Sequence, residues 1–370
     1  MVKLIIELLR EFGLDLGFFR LIDYLTFRII IAIITSLSIS IIFGHRFIYY
    51  MYKKNFKDTS GEFMSIAYGS KRGTPTMGGI FISLTTLISV FLWGDLSNIF
   101  VLVLILSLIY FTLLGVLDDY FKAKFKSSIA GLTQKIKTLL MLLFIVPFSL
   151  FYISDINPID PSLKTVIFLP FIKNPVLDIG NVFYVIFIIV TFFAIVNAVN
   201  FTDGMDGLLA GLSLMNFSVY IVFAYLTGSS YFAKYFFLAN VPEALGITVF
   251  LSALMGSIIG FLWFNFYPAE IFMGDTGSLA IGSTISITLF FIKQEFLFLI
   301  VGGVFVLEAL TSFLNDKIAN MKYFGRRIVY RAPYHYTLRH KGLSEPKAVA
   351  RLLIVGFILA LIGLISIKIR

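Results

Sequence analysis

FVLVLILSLIYFTLLGVLDDYFKAKFK, residues 100 to 126, holds eighteen residues without a charge, then two adjacent aspartates, then lysines at 122, 124 and 126. About 20 predominantly apolar residues span the hydrocarbon core of a bilayer as a helix. An aspartate at the centre of such a helix costs roughly 2.5–3.5 kcal/mol on insertion scales and less at the interface. The stretch therefore predicts a membrane-spanning helix whose boundary falls at Asp118 and Asp119, on a side rich in lysine.

The rest of the chain follows this pattern. Of 370 residues, 59% are hydrophobic and 14% charged, against about half and a quarter in soluble proteins. Predominantly apolar stretches of about 20 residues, the length that spans a bilayer core, recur near 22–43, 76–94, 98–117, 135–153, 179–199, 207–227, 241–262, 277–293, 296–315 and 348–367. The fold class is thus an all-α integral membrane protein, a bundle of about ten transmembrane helices. No repeat or long polar linker divides it, so residues 1–370 read as a single domain.

Charge reports topology before it reports a partner. The loops 44–73, 118–137 and 320–347 carry eighteen of the thirty Lys and Arg residues, whereas 152–180, 228–240 and 293–296 carry four. By the positive-inside rule the first set is cytoplasmic and both termini lie outside; the net charge of +9 needs no nucleic acid. Zero cysteines exclude disulfides, thiolate metal sites and a cysteine nucleophile. Residues 1–20 place charges at helical spacing among apolar residues and predict an interfacial amphipathic helix rather than a signal peptide. The outside loop 152–180 (NPIDPSLK, LPFIKNP) is rich in turn residues and predicts a short hairpin.

The remaining polar residues gather at the basic face, in KRGTPTMGG (71–79), LDDYFKAKFK (117–126), NAVNFTDGMDG (197–207), FNFYPAEIFMGDTGS (264–278) and RAPYHYTLRHKG (331–342). Taken alone, Asp118 and Asp119 also read as a helix stop, with Asp118 paired to Lys122 at i+4. Asn197, Asn200, Asp203 and Asp206 recur every three positions, a polar ladder along one helix face, although cap and turn roles suit them as well. Asp275, flanked by glycines, either caps the helix that follows or places a carboxylate beside an anion-binding helix start. Phe272 reads as packing, or as an aromatic platform for a nucleobase.

Asp118, Asp119, Asp203, Asp206 and Asp275 thus converge on one face. Acids this dense repel one another unless protons or a metal intervene, and oxygen ligands without cysteine suit Mg2+. Mg2+ shares its coordination between carboxylates and substrate phosphate, while Lys71, Lys122, Lys126 and Lys135 can neutralise the remaining negative charge. Each of these lysines, taken singly, is also explained by topology. The chemistry read from the residues is Mg2+-dependent handling of a phosphorylated substrate at the membrane surface.

From Lys71 to the C-terminus these blocks, with GLSEPKAVAR at 342–351, closely resemble the MraY family of phospho-N-acetylmuramoyl-pentapeptide transferases, in the polyprenyl-phosphate N-acetylhexosamine-1-phosphate transferase superfamily (glycosyltransferase family 4). The resemblance implies ten transmembrane helices in a bacterial cytoplasmic membrane, both termini outside, a homodimer, and an active site facing the cytoplasm. It implies transfer of phospho-MurNAc-pentapeptide from UDP-MurNAc-pentapeptide to undecaprenyl phosphate, giving lipid I and UMP in the first membrane step of peptidoglycan synthesis. By resemblance Asp118 and Asp119 are the catalytic acidic pair, with Asp118 a base toward the lipid phosphate, and Asp275 is a Mg2+ ligand, joined by Asp203. Lys71, Asp203, Asp206, Asn265 and Phe272 correspond to the uridine-diphosphate pocket, and Lys122, Asn197 and Asn200 to the cleft around it; Thr76, Lys126 and Lys135 are further substrate-binding candidates. Where the family carries three successive histidines after Ala-Pro-x, this chain reads RAPYHYTLRH, keeping His335 and placing Tyr336 and Thr337 in the other two positions. His335 is expected to contact phosphate or sugar.

Two rivals follow from the same residues. A sibling transferase acting on UDP-N-acetylglucosamine differs in the mass of its lipid product. A transporter is also polytopic with functional acids, but places them near the bilayer midplane on broken helices, whereas these lie at helix ends and loops.

Overall fold

The structure is a computed structural model and describes residues 17–54, 56, 73–125, 131–173, 175–318 and 332–368. Twelve helices carry the argument: α1 (Leu25–Lys53), α2 (Gly78–Trp93), α3 (Ile99–Phe125), α4 (Gln134–Ile153), α5 (Gly180–Phe201), α6 (Leu208–Gly228), α7 (Ala244–Asn265), α8 (Asp275–Phe291), α9 (Phe298–Val301), α10 (Gly303–Ile318), α11 (Tyr334–His340) and α12 (Glu345–Lys368). All ten predicted apolar stretches fall on helices. Seven of these, α1, α3, α4, α5, α6, α7 and α12, are long and apolar enough to cross a membrane. An eighth span arises if Glu295–Val301 and Gly303–Leu314, which meet at an 84° bend, are taken together. At 16 and 17 residues α2 and α8 are about 24–26 Å long at 1.5 Å per residue, somewhat under the roughly 30 Å hydrocarbon thickness. The protein is a multi-pass, all-α membrane protein.

Burial explains the arrangement. Every residue of α8 from Thr276 to Phe291 is buried, so this helix lies at the centre, packed against α3, α5 and α2. Its sequence, DTGSLAIGSTISITLFF, tolerates that position where its hydroxyls return to its own backbone: Thr284 and Ser286 donate to the carbonyls of Ala280 and Gly282, both at 2.9 Å. The small residues let neighbours come close. At Gly115 of α3 a Cβ would stand 2.4 Å from the Asp275 carbonyl and the Thr276 backbone, so only glycine allows this crossing of α3 over the start of α8. Outer helices present apolar side chains outward instead: Leu106, Leu113 and Leu117 of α3 are all exposed, a surface suited to lipid.

The predicted outer hairpin is present. Strands β1 (Val166–Ile167) and β2 (Leu177–Asp178) pair antiparallel, Val166 opposite Asp178. Beside it Lys293, counted above among the loop cations, is fully buried and ion-pairs with Glu295 at 3.2 Å, while donating to the Tyr184 hydroxyl at 2.6 Å. The interfacial helix expected over 1–20 falls largely outside the described residues; Gly17–Asp23 form a 3-10 turn.

Candidate active site

The basic end of α3 and the start of α8 meet because α3 crosses α8 at Gly115, one helical turn before the acid pair. Three carboxylates are thereby brought together: Asp118, Asp119 and Asp275 offer oxygens that all lie within 4.8 Å of one another. Asp118 and Asp119 are buried and Asp275 is half-buried.

Two lysines balance them. Lys122 Nζ lies 2.6 Å from Asp118 Oδ2 and 2.8 Å from Asp275 Oδ2, bridging α3 to α8. Lys137 Nζ, from α4, lies 2.7 Å from the same Asp275 oxygen and 3.7 Å from Asp118. The other Asp275 oxygen accepts from Asn200 Nδ2 at 2.8 Å, and Asn200 also donates to Ser278 Oγ at 2.8 Å. Removing one member of so enclosed a set leaves an uncompensated charge, a change that costs about 3–5 kcal/mol in buried pairs.

The two adjacent aspartates have different partners. Asp119 accepts from the backbone N–H groups of Asp275 at 3.3 Å and Thr276 at 3.1 Å, so it caps the start of α8 from another helix. Asp118 accepts from the Leu132 N–H at 2.7 Å and otherwise faces the two ammoniums and the Asp275 carboxylate. Asp118 is therefore the member of the pair directed into the charged cluster, and Asp119 the member that holds α8 in register with α3.

Among the described residues the other predicted positions fall into three groups. Thr76 borders the cluster, its Oγ1 lying against Gly274 beside Asp119. Asp206 and Asn265 tie loops together: Asp206 accepts from the Ala269 N–H at 3.1 Å, while Asn265 accepts from the Gly207 N–H at 3.1 Å and donates to the Ile271 carbonyl at 2.8 Å. Phe272, half-buried, is joined through its backbone to the polar block 71–79, its N–H donating to the Pro75 carbonyl and its own carbonyl accepting from the Gly78 N–H. Lys71 and Lys126 lie outside the described residues.

Four placements differ from the sequence reading. Lys135 is exposed, and Lys137 occupies the role expected of it; two residues turn a helix by about 200°, so only one of the pair can face the acids. The polar ladder ends early, because α5 stops at Phe201 and Asp203 and Asp206 sit in the turn that follows. Asp203 is consequently not a member of the group of carboxylates that comes together among the described residues, Asp118, Asp119 and Asp275. Asn197 donates to its own helix at Phe193 O, 2.7 Å. His335, expected within the loop 320–347, is fully buried on the short helix α11, with Nδ1 3.1 Å from Glu308 Oε2.

Sequence reading did not single out Lys137, Glu308 or Glu345. Glu308 had a signal, being the one charged residue in the apolar stretch 296–315. Glu345 accepts from the Asp206 N–H at 3.0 Å and pairs with Arg339, fastening α11 and α12 to the acidic turn; nothing in its spacing announces that contact.

Three carboxylates without nitrogen or sulfur ligands fit a hard divalent cation, and paired lysines fit phosphate oxygens. Residues 101–293 match glycosyl transferase family 4, and residues 71–82 match phospho-N-acetylmuramoyl-pentapeptide-transferase signature 1. The chain belongs to this family. Curated family members named phospho-N-acetylmuramoyl-pentapeptide-transferase align over nearly the whole length. The protein from Leptospira biflexa serovar Patoc is 38% identical over 367 residues, covering 97% of this chain and 98% of its own. That from Thermodesulfovibrio yellowstonii is 39% identical over 350 residues, 94% of each. The family match begins at Val101 and ends at Lys293, so it contains all three carboxylates, both lysines and Asn200, but neither Glu308 nor His335.

Proposed function

We propose that this transferase moves phospho-MurNAc-pentapeptide from UDP-MurNAc-pentapeptide to undecaprenyl phosphate, releasing UMP and leaving lipid I in the membrane. The observation that carries this reading is the meeting of Asp118, Asp119 and Asp275 with Lys122 and Lys137 at one end of the bundle, in a chain that shares nearly its full length with relatives bearing that name. The enzyme sits in the bacterial cytoplasmic membrane as a homodimer, with this end toward the cytoplasm and both termini outside.

The reaction brings two anions together. An oxygen of the lipid phosphate attacks the phosphorus that bears the sugar, and the bond from that phosphorus to the uridylate oxygen breaks. UMP then leaves with the electron pair. Such a step is served more by charge neutralisation and alignment than by a strong base. Lys122 and Lys137 supply two ammoniums at one carboxylate oxygen, positioned to exchange that contact for phosphate. Asp118, directed into the cluster, takes the proton of any lipid phosphate still protonated. Asp119 keeps the start of α8 in place, and Asn200 orients Asp275. A Mg2+ held by Asp275 with Asp118 would supply further neutralisation of the diphosphate. Direct attack is favoured over an aspartyl-phosphate intermediate because the acceptor phosphate is already largely ionised near neutral pH.

Mass spectrometry of the lipid product tests the reading, using purified protein, undecaprenyl phosphate, Mg2+ and either UDP-MurNAc-pentapeptide or UDP-N-acetylglucosamine. Lipid I and UMP from the first donor alone are expected, lost in Asp118→Asn, lost on adding EDTA and recovered with excess Mg2+. A GlcNAc-phosphate lipid instead would move the chain to the sibling activity. Turnover indifferent to EDTA would remove the metal.

A further inference from the structure

Glu308 and His335 form a buried pair that the transfer chemistry above does not use. Both side chains are fully buried. Glu308 Oε2 accepts twice from the same residue, from the His335 backbone N–H at 3.2 Å and from ring Nδ1 at 3.1 Å. An oxygen that already accepts the backbone N–H is an acceptor toward the ring as well, so Nδ1 carries a hydrogen and Nε2 is the atom left for other work. Nε2 is buried and has no hydrogen-bond partner among the described residues.

The direction of Nε2 is defined by Gly204, where a Cβ would lie 2.2 Å from it. The ring edge thus abuts the backbone of the Thr202–Gly207 turn, between Asp203 and Asp206. A buried polar atom without a partner is uncommon in a folded protein and marks a place where a water or ligand completes the bonding. Tyr336 packs on the ring, with centroids 4.1 Å apart, so the imidazole is held in direction by a carboxylate and in tilt by a neighbouring aromatic.

We propose that Glu308 is a positioning residue. It fixes the His335 imidazole with a hydrogen on Nδ1 and Nε2 toward the Thr202–Gly207 turn, where that nitrogen serves the diphosphate of the nucleotide donor. The second half of this statement rests on the function proposed above; the first half does not. When Nε2 also carries a hydrogen, it donates to a phosphate oxygen in a charge-assisted bond. Loss of a carboxylate that orients a metal-bound histidine lowers affinity or activity by about 10- to 100-fold, and the same scale is expected here.

The test uses the full chain in detergent and separates the two halves. The sequence holds three histidines, so 15N-histidine spectra can be assigned with His45→Gln and His340→Gln variants. At a pH where the ring is neutral, His335 is expected to carry its proton on Nδ1, and Glu308→Leu to shift it to Nε2. A wild-type ring protonated on Nε2 would overturn the positioning role, whatever reaction the enzyme performs.

Kinetics then address the donor. Glu308→Leu and His335→Ala should each lower kcat/KM for the nucleotide donor by about 10- to 100-fold, and the double variant should be no worse than the weaker single one. Glu308→Gln, which keeps an acceptor oxygen, should recover part of the loss. Multiplying losses in the double variant would show that Glu308 acts independently of His335, and an effect on the lipid acceptor alone would overturn the donor assignment. Absence of any lipid I from the wild type would instead count against the proposed function, with the spectra still deciding the role of Glu308.

Discussion

At the scale of single residues, two lysines of α4 offer a clean contrast. Lys137 reaches Asp275 at 2.7 Å while Lys135 is exposed. Removing one preorganised cationic donor from a phosphoryl-transfer site costs about 10²- to 10³-fold in kcat. Lys137→Met is therefore expected to lose turnover on that scale, and Lys135→Met to stay near wild type, when UMP release is followed in purified protein. Equal losses in both would mean that general positive charge on this face, and not the placement of one ammonium, supports the reaction. The acid pair was legible in the sequence because an apolar stretch makes any carboxylate conspicuous. Which of two nearby lysines faces it was not, because the phase of α4 depends on where Thr133 starts the helix, and Thr133 does so by accepting from Ile136 N at 3.4 Å.

At the scale of elements, the site depends on the crossing of α3 and α8 more than on any one side chain. All ten apolar stretches were legible, and so was the outer hairpin. The burial of α8 was less so, since its many Ser, Thr and Gly residues look less apolar than those of its neighbours; in the folded chain the Thr284 and Ser286 hydroxyls are paired with the helix's own carbonyls. Gly115 could not be weighed from sequence, because its importance lies in the 2.4 Å that would separate a Cβ from Asp275 O. Gly115→Ala forces α3 away from α8, and such overpacking costs about 1–3 kcal/mol. The expected result is a lowered unfolding temperature and at least a tenfold loss of turnover, although no group in the charged cluster has changed. Leu113→Ala, at a position 58% exposed on the outer face of the same helix, should leave both nearly unchanged. If Gly115→Ala turned over normally, the distance between the acid pair and Asp275 would not be what limits catalysis.

At the scale of the whole molecule, the distribution of charge predicts an orientation that can be read directly. Eighteen of the thirty basic residues lie in three alternate loops, and the carboxylate cluster opens at the same end. A cytoplasmic nucleotide-linked donor, as proposed above, would require that end to face inward, and the positive-inside rule gives the same answer from different physics, the retention of Lys and Arg during insertion. The absence of cysteine makes the chain a ready background for single-cysteine labelling. Lys135→Cys marks the basic end, and Ile156→Cys, at a residue 69% exposed in the opposite loop, marks the other. A membrane-impermeant maleimide added to intact cells should modify only the cysteine at 156, and added to inverted membrane vesicles only the one at 135. The reverse pattern would place the carboxylates outside, away from any cytoplasmic nucleotide, and the proposed transfer could not stand. Labelling of both from one side would mean that the count of crossings between 135 and 156 is even; α4 would then enter and return on the same face, and the topology built on ten helices would fail at that helix.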